Sequence, residues 1–555
     1  MTVAQSLHPR DTPDVRKARG AFFTPDEITR FIAGWGIRTG TDRVLEPSAG
    51  DAAFLIAAVA RLRQLTDDHN SVPVVDGVEI HAHSARTGRQ RVREAGGEPR
   101  IRVSDFFLIP PTPSYDVVIG NPPYIRYQDF AGESRTRSRQ AALRAGVALT
   151  GLASSWAAFT VHSALFLKDG GRLGLVLPAE LLSVNYAAPV RRFLFENFSD
   201  IQLVLFDEQV FSEAEADVVL LLADGYRQGP ADHATIRQAK NATELSALRA
   251  GQRWMPLDPA AKWTDSLVDP DAGEPLRTLI HSGRFTELEA WGDTTLGIVT
   301  GNNRYFTLSP QRVKELGLHR NELRRVSPAG SSHLRGLVLS DGMLSRLGRS
   351  GKGTYLFYPA DVPSAEAEAY IEAGHIAGVD NAYKCRVRKI WHRVPLVPPA
   401  DLLLTCMNAD TPRLTTNEAR AHHLNSIHGV YLKEDHRELG RELLPLASLN
   451  SVTLLSAETV GRTYGGGILK IEPKEADAWA MPSPRLVGAR AEALRAIKDK
   501  VAQTLQAGKL ADAVELVDHA LLSESGLVSD DEITHVRRAH AGLTRRRSVR
   551  AASGH

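Results

Sequence analysis

Between about Ala21 and Asp224 the chain alternates two apolar patterns. VVDGVEI (74–80), YDVVIGN (115–121), GRLGLVLP (171–178) and IQLVLFD (201–207) are short apolar runs of β character, while AAFLIAAVARLRQL (52–65) places its apolar residues at helical spacing. Short buried β runs that alternate with helices predict βαβ units, and hence an α/β fold with a mostly parallel sheet covered on both faces. LKDGGRLGLVLP (167–178) predicts a helix end, a tight glycine turn and then a strand. After about Gly225 the alternation fades, and 226–290 reads as a mixed connection. From Leu296 to Pro482, short β-like pieces, aromatic residues and Gly/Pro punctuation predict a second domain of mixed α+β character. From Ser483 the composition turns to Ala, Leu, Glu and Lys, as in VGARAEALRAIKDKVAQTL, which predicts a small helical unit. The expected division is therefore 1–265, 266–482 and 483–555.

Composition narrows the class. Of 555 residues, 43% are hydrophobic and 24% charged, which excludes a disordered, collagen-like or coiled-coil chain. Lys+Arg 67 against Asp+Glu 65 leaves a formal charge of +2, so an electrostatic partner has to be sought in local clusters. The two cysteines, Cys385 and Cys406, exclude a disulfide framework and a four-cysteine zinc site. The 19 histidines form no HExxH, and His81 and His83 read as surface residues, so no metal is expected. No apolar run reaches 18 residues, and MTVAQSLHPRDTPDVRKARG lacks the apolar core of a signal peptide. The expected compartment is the cytoplasm, with no membrane partner.

Candidate chemistry sits at four successive strand ends. In RVLEPSAGDAAFL (43–55) a β run ends in Glu46, and the small residues Ser48, Ala49 and Gly50 open a helix. Small residues let backbone approach a ligand, and a helix N-terminus offers free N–H groups. No Gly-Lys-Ser/Thr follows and the turn is not GxGxxG, so phosphate is not the expected ligand. VVDGVEI brings Glu79 to the end of a second strand, where an acid bonds ribose hydroxyls. IRVSDFF (101–107) puts Asp105 and Phe106 at a third end, an acid for an adenine amino group beside an aromatic for its ring. Ligands of open α/β sheets lie just beyond the carboxyl ends of strands, so the three signals reinforce one another. The fourth end carries Asn121-Pro122-Pro123-Tyr124. The prolines stiffen the loop and end the strand, so the Asn121 side-chain oxygen and the Pro122 carbonyl become two acceptors at fixed positions. Such a pair suits a planar exocyclic amino group with two hydrogens to donate. Tyr124 offers a flat face for stacking.

In this order, these residues resemble the S-adenosylmethionine-dependent N6-adenine DNA methyltransferases, of the gamma class whose cofactor motifs and NPPY precede the target-recognition domain. GAFFTP (20–25), with Thr24, resembles the N-terminal cofactor motif. LEPSAGD (45–51) resembles the central one, with Ser48-Ala49-Gly50 where a more Gly-rich form is common. GVEI (77–80), with Glu79 and Ile80, and SDFF (104–107) resemble the next two, and NPPY (121–124) the catalytic loop. SWAAFTVHSALFLKDGGRLGLVLPAELL (155–182) resembles the helix, turn and strand that follow. VFSEAEADVVLLL (210–222) resembles a later motif in which an aromatic, here Phe211, packs on the flipped base. The likeness covers 18–225 well and continues weakly in GIVTGNNRYFTLS (297–309), YKCRVRKIWHRVP (383–395) and RTYGGGILKIEP (462–473).

The resemblance implies a Rossmann-like catalytic domain over 1–265 and a DNA target-recognition domain over 266–482. It implies S-adenosylmethionine bound through Thr24, Glu46, Ser48, Ala49, Gly50, Glu79, Ile80, Asp105, Phe106 and Asn121. It implies catalysis by Asn121, Pro122, Tyr124 and Phe211, with methyl transfer to the N6 amino group of an adenine flipped out of double-stranded DNA. Monomeric action on DNA is expected, alongside a separate restriction endonuclease where the setting is restriction-modification. Neither cysteine lies near these motifs, which argues against cytosine-C5 chemistry through a covalent intermediate.

Local charge agrees with a nucleic-acid partner. Residues 301–360 hold ten Lys/Arg against three acids, and 384–393 add Lys384, Arg386, Arg388, Lys389 and Arg393. The loop after NPPY carries Arg126, Arg135, Arg137, Arg139 and Arg144. Such clusters contact phosphates, and some arginines read guanine edges. The closing run with Arg537, Arg538, Arg545, Arg546, Arg547 and Arg550 reads as a disordered terminus. Two other functions stay open. A methyltransferase acting on RNA or protein glutamine is weighed against by the long stretch after the connection. A non-catalytic DNA-binding specificity protein is weighed against by the intact NPPY with Glu46, Glu79 and Asp105. The motifs begin by residue 20 and the tail shows no paired-acid and lysine nuclease core, so modification without cleavage by this chain is expected.

Overall fold

Nine strands of the described residues form one sheet in the first part of the chain. They are β1 Val44–Glu46, β2 Val74–Glu79, β3 Glu98–Val103, β4 Tyr115–Gly120, β5 Leu167–Pro178, β6 Asp200–Phe206, β7 Val218–Asp224, β8 Ala234–Ala239 and β9 Gln252–Trp254, in the order β3-β2-β1-β4-β5-β7-β6-β8-β9. The half from β3 to β5 is parallel, and β7 enters antiparallel between β5 and β6. This computed structural model describes residues 24–552 except 69, 126–127, 131, 209, 212–217, 249, 257, 269 and 465–466. Residues 20–23 of the first motif, Arg126, and 212–217 of the later motif therefore lie outside the described residues.

Helices cover the sheet because their apolar residues keep to one side. Helix α1, Asp26–Gly36, buries Ile28, Ile32 and Ala33 and exposes Asp26 and Arg30. Helix α2, Ala53–Leu65, buries Phe54, Leu55, Ala58, Val59 and Leu62. Helices α3 (Ala82–Glu94), α4 (Gly132–Arg144) and α5 (Ser155–Ala164) follow. Strand β7 is buried from Val218 to Ala223. Burying each such Val or Leu contributes roughly 1.5–3 kcal/mol, so a strand apolar on both faces becomes a central one. The strand order reverses between β1 and β4. The loops leaving two such strands part to opposite faces and open a crevice at their carboxyl ends.

The glycine turn expected in LKDGG lies within β5, not between a helix and a strand. Helix α5 has already ended at Ala164. Leu167 pairs with Tyr115 and Arg172 with Val117, so the residues between them bulge from the ladder, with Gly170 at φ +76. A bulge lets extra residues leave the ladder without moving the rest of the strand to its other face.

The chain divides at Ser266/Leu267 into two compact units. The second is α+β, built on an antiparallel sheet ordered Gly292–Leu296, Ile427–Leu432, Leu402–Thr405, Leu414–Thr416. Helices α6 (Ala491–Gln506), α7 (Leu510–Asp518) and α8 (Asp530–Ala552) close it. Leu494, Val501, Val517 and Val536 from these helices are fully buried in one core with Trp291, Leu402, Val430 and Trp479. The arginine-rich end is thus not the disordered terminus its composition suggests. Arg537 Nη2 lies 2.8 Å from buried Asp518. Arg547, 2% exposed, donates from Nε and Nη2 to the Glu458 carboxylate at 3.0 and 2.7 Å. It also donates to the carbonyls of Asp410 at 2.8 Å and Gly467 at 2.5 Å. A guanidinium with its fork filled can be buried where an unpaired one cannot. No single described helix is long and apolar enough to cross a membrane.

Candidate functional site

Parallel strands bring their carboxyl ends to one edge, so the four chemically marked ends meet. Strands β1 and β4 are direct neighbours, with Leu45 opposite Val118. Ser48 Oγ donates to the Asn121 carbonyl at 3.2 Å and ties the two loops together. The turn after β1 takes left-handed backbone at Gly50 (φ +51) and at Ala52 (φ +68). A Cβ at Gly50 would meet nothing within 4 Å, so the backbone there borders open space. Gly50 N donates to Glu79 Oε2 at 2.8 Å and His81 N to Oε1 at 2.8 Å. Each oxygen keeps a second lone pair. Asp105 accepts from Phe107 N at 3.0 Å and lies 3.5 Å from Arg137 Nη1 of α4.

These groups line a cavity of 640 Å³. All ten residues expected at a cofactor are in its wall: Thr24, Glu46, Ser48, Ala49, Gly50, Glu79, Ile80, Asp105, Phe106 and Asn121. Five carboxylates, Glu46, Asp51, Glu79, Asp105 and Asp129, line it with no Lys or Arg among the lining residues. Asp51 is paired with Arg91 and Asp105 lies beside Arg137, so the field that disfavours a phosphate comes mainly from Glu79 and Asp129. Glu46 is 3% exposed and its Oε2 has no hydrogen-bond partner among the described residues. Burial first, then the charges of Asp51 and Glu79, push its carboxyl well above the usual carboxylate range. Ile80, 58% exposed, gives the cavity an apolar surface. Phe106 is only 3% exposed, packed against Phe159 and Phe166 with ring centroids 5.4 and 5.1 Å away. Behind it lies fully buried His162, pushed down to about 4 by burial and by Arg144, which keeps the ring neutral.

The NPPY loop is held at both ends of its amide. Asn121 Nδ2 donates to Thr24 Oγ1 at 3.1 Å, and Tyr124 Oη, with one hydrogen to share, lies 2.6 Å from Asn121 Oδ1 and 3.0 Å from the Val176 carbonyl. Burial pushes the Tyr124 phenol well above its ordinary value, so it remains a donor. Pro122 is buried, and its carbonyl accepts no hydrogen bond among the described residues. Ser155, 1% exposed at the start of α5, clasps the loop: its Oγ accepts from Ile125 N at 2.9 Å and donates to the Pro123 carbonyl.

Not every expected residue sits at the cavity. Phe211, expected to pack on an extruded base, is 5% exposed in the core with Phe206, Val218 and Leu220. A phenylalanine flanked by β6 and β7 finds more apolar surface in the sheet than in an aqueous cavity. Tyr124 is half-buried at the edge of that cluster, with its hydroxyl rather than a bare ring face committed. His81 and His83, read as surface residues, border the cavity, as do Asp129, Phe130 and Ser155, which sequence reasoning passed over. A serine opening the helix after the NPPY loop was the available signal for Ser155. Among the described residues, no group of three His, Cys, Asp or Glu side chains is arranged to hold a metal ion.

Residues 11–248 match the N-6 DNA methylase family, and residues 260–522 match the C-terminal domain of the Type II methyltransferase M.Eco57I. The Type II methyltransferase M.XamI of Xanthomonas campestris pv. amaranthicola is 27% identical over 84% of this chain and 85% of its own. M.AccI of Acinetobacter calcoaceticus, also a Type II methyltransferase, is 22% identical over 83% and 84%. Among solved structures, the Type IIL restriction-modification enzyme MmeI in complex with DNA shares the fold, with a TM-score of 0.55 at 12% identity over 94% of this chain and 75% of that one. Together the two family matches and these relatives support an N6-adenine DNA methyltransferase, similar to those of Type II restriction-modification systems.

Proposed function

We propose that this chain transfers the methyl group of S-adenosylmethionine to the N6 amino group of an adenine extruded from duplex DNA, and that its second unit selects the target sequence. The observation that carries the reading is an acid-lined cavity whose wall includes Asn121. The residues present fit the cofactor. The open space at Gly50 admits a ligand against backbone, and the orphaned Glu46 Oε2 lacks a positive partner. When bound, S-adenosylmethionine supplies an electrophilic methyl group on a sulfonium.

Thr24, Glu46, Ser48, Ala49 and Gly50 would hold its amino-acid end, Glu79 its ribose hydroxyls, and Ile80, Asp105 and Phe106 its adenine. Asn121 Oδ1 and the Pro122 carbonyl accept the two amino hydrogens of the target adenine. The nitrogen lone pair, otherwise delocalised into the ring, is thereby directed outward. The same acceptors stabilise the positive charge that develops on nitrogen, as an oxyanion hole does with the opposite sign. Tyr124 Oη uses one lone pair of Asn121 Oδ1 and leaves the other for the base. Extrusion costs a few kcal/mol, offset by contacts in the pocket. A separate endonuclease is the partner such a modification enzyme would protect against.

Purified protein incubated with labelled S-adenosylmethionine and mixed-sequence duplex, then digested to nucleosides, is expected to yield label in N6-methyladenine. Label in RNA, protein or another base would overturn the reading.

The raised Glu46 pKa adds a pH dependence. In the empty cavity the acid is neutral below its raised pKa, and a cationic ligand favours the carboxylate. Cofactor affinity is therefore expected to rise with pH through that pKa and then level off. Calorimetric titration in buffers of different ionisation heat should register proton release on binding, and Glu46→Gln should remove both effects. A flat affinity profile in the wild type would contradict this role.

A further inference from the structure

The basic stretch 384–393 divides by direction. Cys385 is fully buried, its Sγ 3.6 Å from the Thr300 carbonyl. Arg388 donates to the Val299 carbonyl at 2.6 Å and the Trp391 carbonyl at 3.2 Å, with its guanidinium 5.7 Å from the Phe306 ring centroid. Arg393 is paired with Asp361 at 2.5 Å. These three residues anchor the segment and are not available to a ligand. Lys384, Arg386 and Lys389 are exposed and make no ion pair among the described residues. Beside them stand Tyr383, Val387 and Ile390, 65%, 58% and 46% exposed, with Lys384 Nζ 5.7 Å from the Tyr383 ring centroid. The helical turn Tyr383–Arg386 and the bends after it therefore form a ridge pinned from beneath, with three unpaired cations and three large apolar side chains outward.

Exposed apolar groups cost free energy in water that a partner's apolar surface restores. The charge selects a polyanion, and the alternation suits a nucleic-acid groove. Cations meet phosphates, while apolar side chains meet sugars, thymine methyls or partly unstacked base steps.

Resting on the reading of duplex DNA as substrate, we propose that this ridge enters a groove of the DNA. Lys384, Arg386 and Lys389 contact phosphates, and Tyr383, Val387 and Ile390 bear on bases and sugars. Arg388 and Cys385 set its height.

The test compares the full-length protein with Lys384→Gln/Arg386→Gln/Lys389→Gln and, separately, with Tyr383→Ser/Val387→Ser/Ile390→Ser. The polar triple variant should lower the slope of log affinity for mixed-sequence duplex against log salt by about 2 to 3, since each phosphate contact contributes about 0.9. The serine variant should keep that slope and lose at least fivefold in methylation kcat/KM on genomic DNA. Cofactor affinity, measured calorimetrically, should be unchanged in both, which reports an intact fold. An unchanged salt slope, or a serine variant as active as wild type, would overturn the proposal. A wild type that neither binds nor methylates duplex would instead overturn the reading of function.

Discussion

Asn121→Ala is expected to slow methyl transfer by about 10²- to 10³-fold in single-turnover assays, the usual effect of removing one preorganised group from a developing charge. Cofactor affinity should fall far less, because nine other expected residues of the cavity wall remain. The amide's two tethers define a second, smaller step. Tyr124→Phe keeps the ring but removes the hydroxyl that bonds Asn121 Oδ1 and the Val176 carbonyl. A loss of about tenfold in rate, or roughly 1.4 kcal/mol, with KM for DNA little changed, would mark that hydroxyl as a positioning group. A larger rise in KM would mark a contact of that hydroxyl with DNA instead. An Asn121→Ala enzyme as fast as wild type would remove the acceptor mechanism.

Arg547→Ala carries the largest expected effect on stability. It leaves the Glu458 carboxylate, 4% exposed, without its guanidinium. It also strips a donor from the carbonyls of Asp410 and Gly467. Breaking a buried pair in this way costs about 3–5 kcal/mol, read as faster amide exchange across α8 and a lower unfolding temperature. Arg547→Met combined with Glu458→Gln should recover much of that loss, because no uncompensated charge remains. If Arg547→Ala unfolds with the wild type, the network is not what holds α8 down.

The catalytic unit was largely legible in the chain. Short apolar runs separated by helical patterns dictate parallel strands, and parallel strands put Glu46, Glu79, Asp105 and Asn121 at the same edge whatever the details of packing. The ten residues expected at a cofactor therefore line one cavity. Which face a side chain takes is not set by the strand order alone. Phe106 and Phe211 carry the right residue type for stacking, yet both rings go mostly to the core, since an aromatic beside a strand has a competing apolar site. The LKDGG glycines mark a bulge because β5 resumes pairing with β4 before them, a fact of register that local propensity does not contain.

Charge shows the same division. Ten basic residues in 301–360 read as one cluster, but Arg312, Arg325 and Arg335 are paired with Glu315, Asp341 and Asp410. The arginine-rich end looked unstructured because its local composition offers no apolar stripe. Its order comes from Asp518 and Glu458, the latter 89 positions before Arg547.

By itself the amino-acid order determined which chemical groups end which strands, and hence the acceptors, acids and small turns from which a methyl-transfer site can be built, because those are properties of a few consecutive residues. Only the tertiary structure decided which cations are spent on the protein's own carboxylates and carbonyls and which stay exposed without an ion pair among the described residues. A charged side chain's partner depends on segments far away in the chain that folding brings beside it, and burial raises the cost of leaving it unpaired.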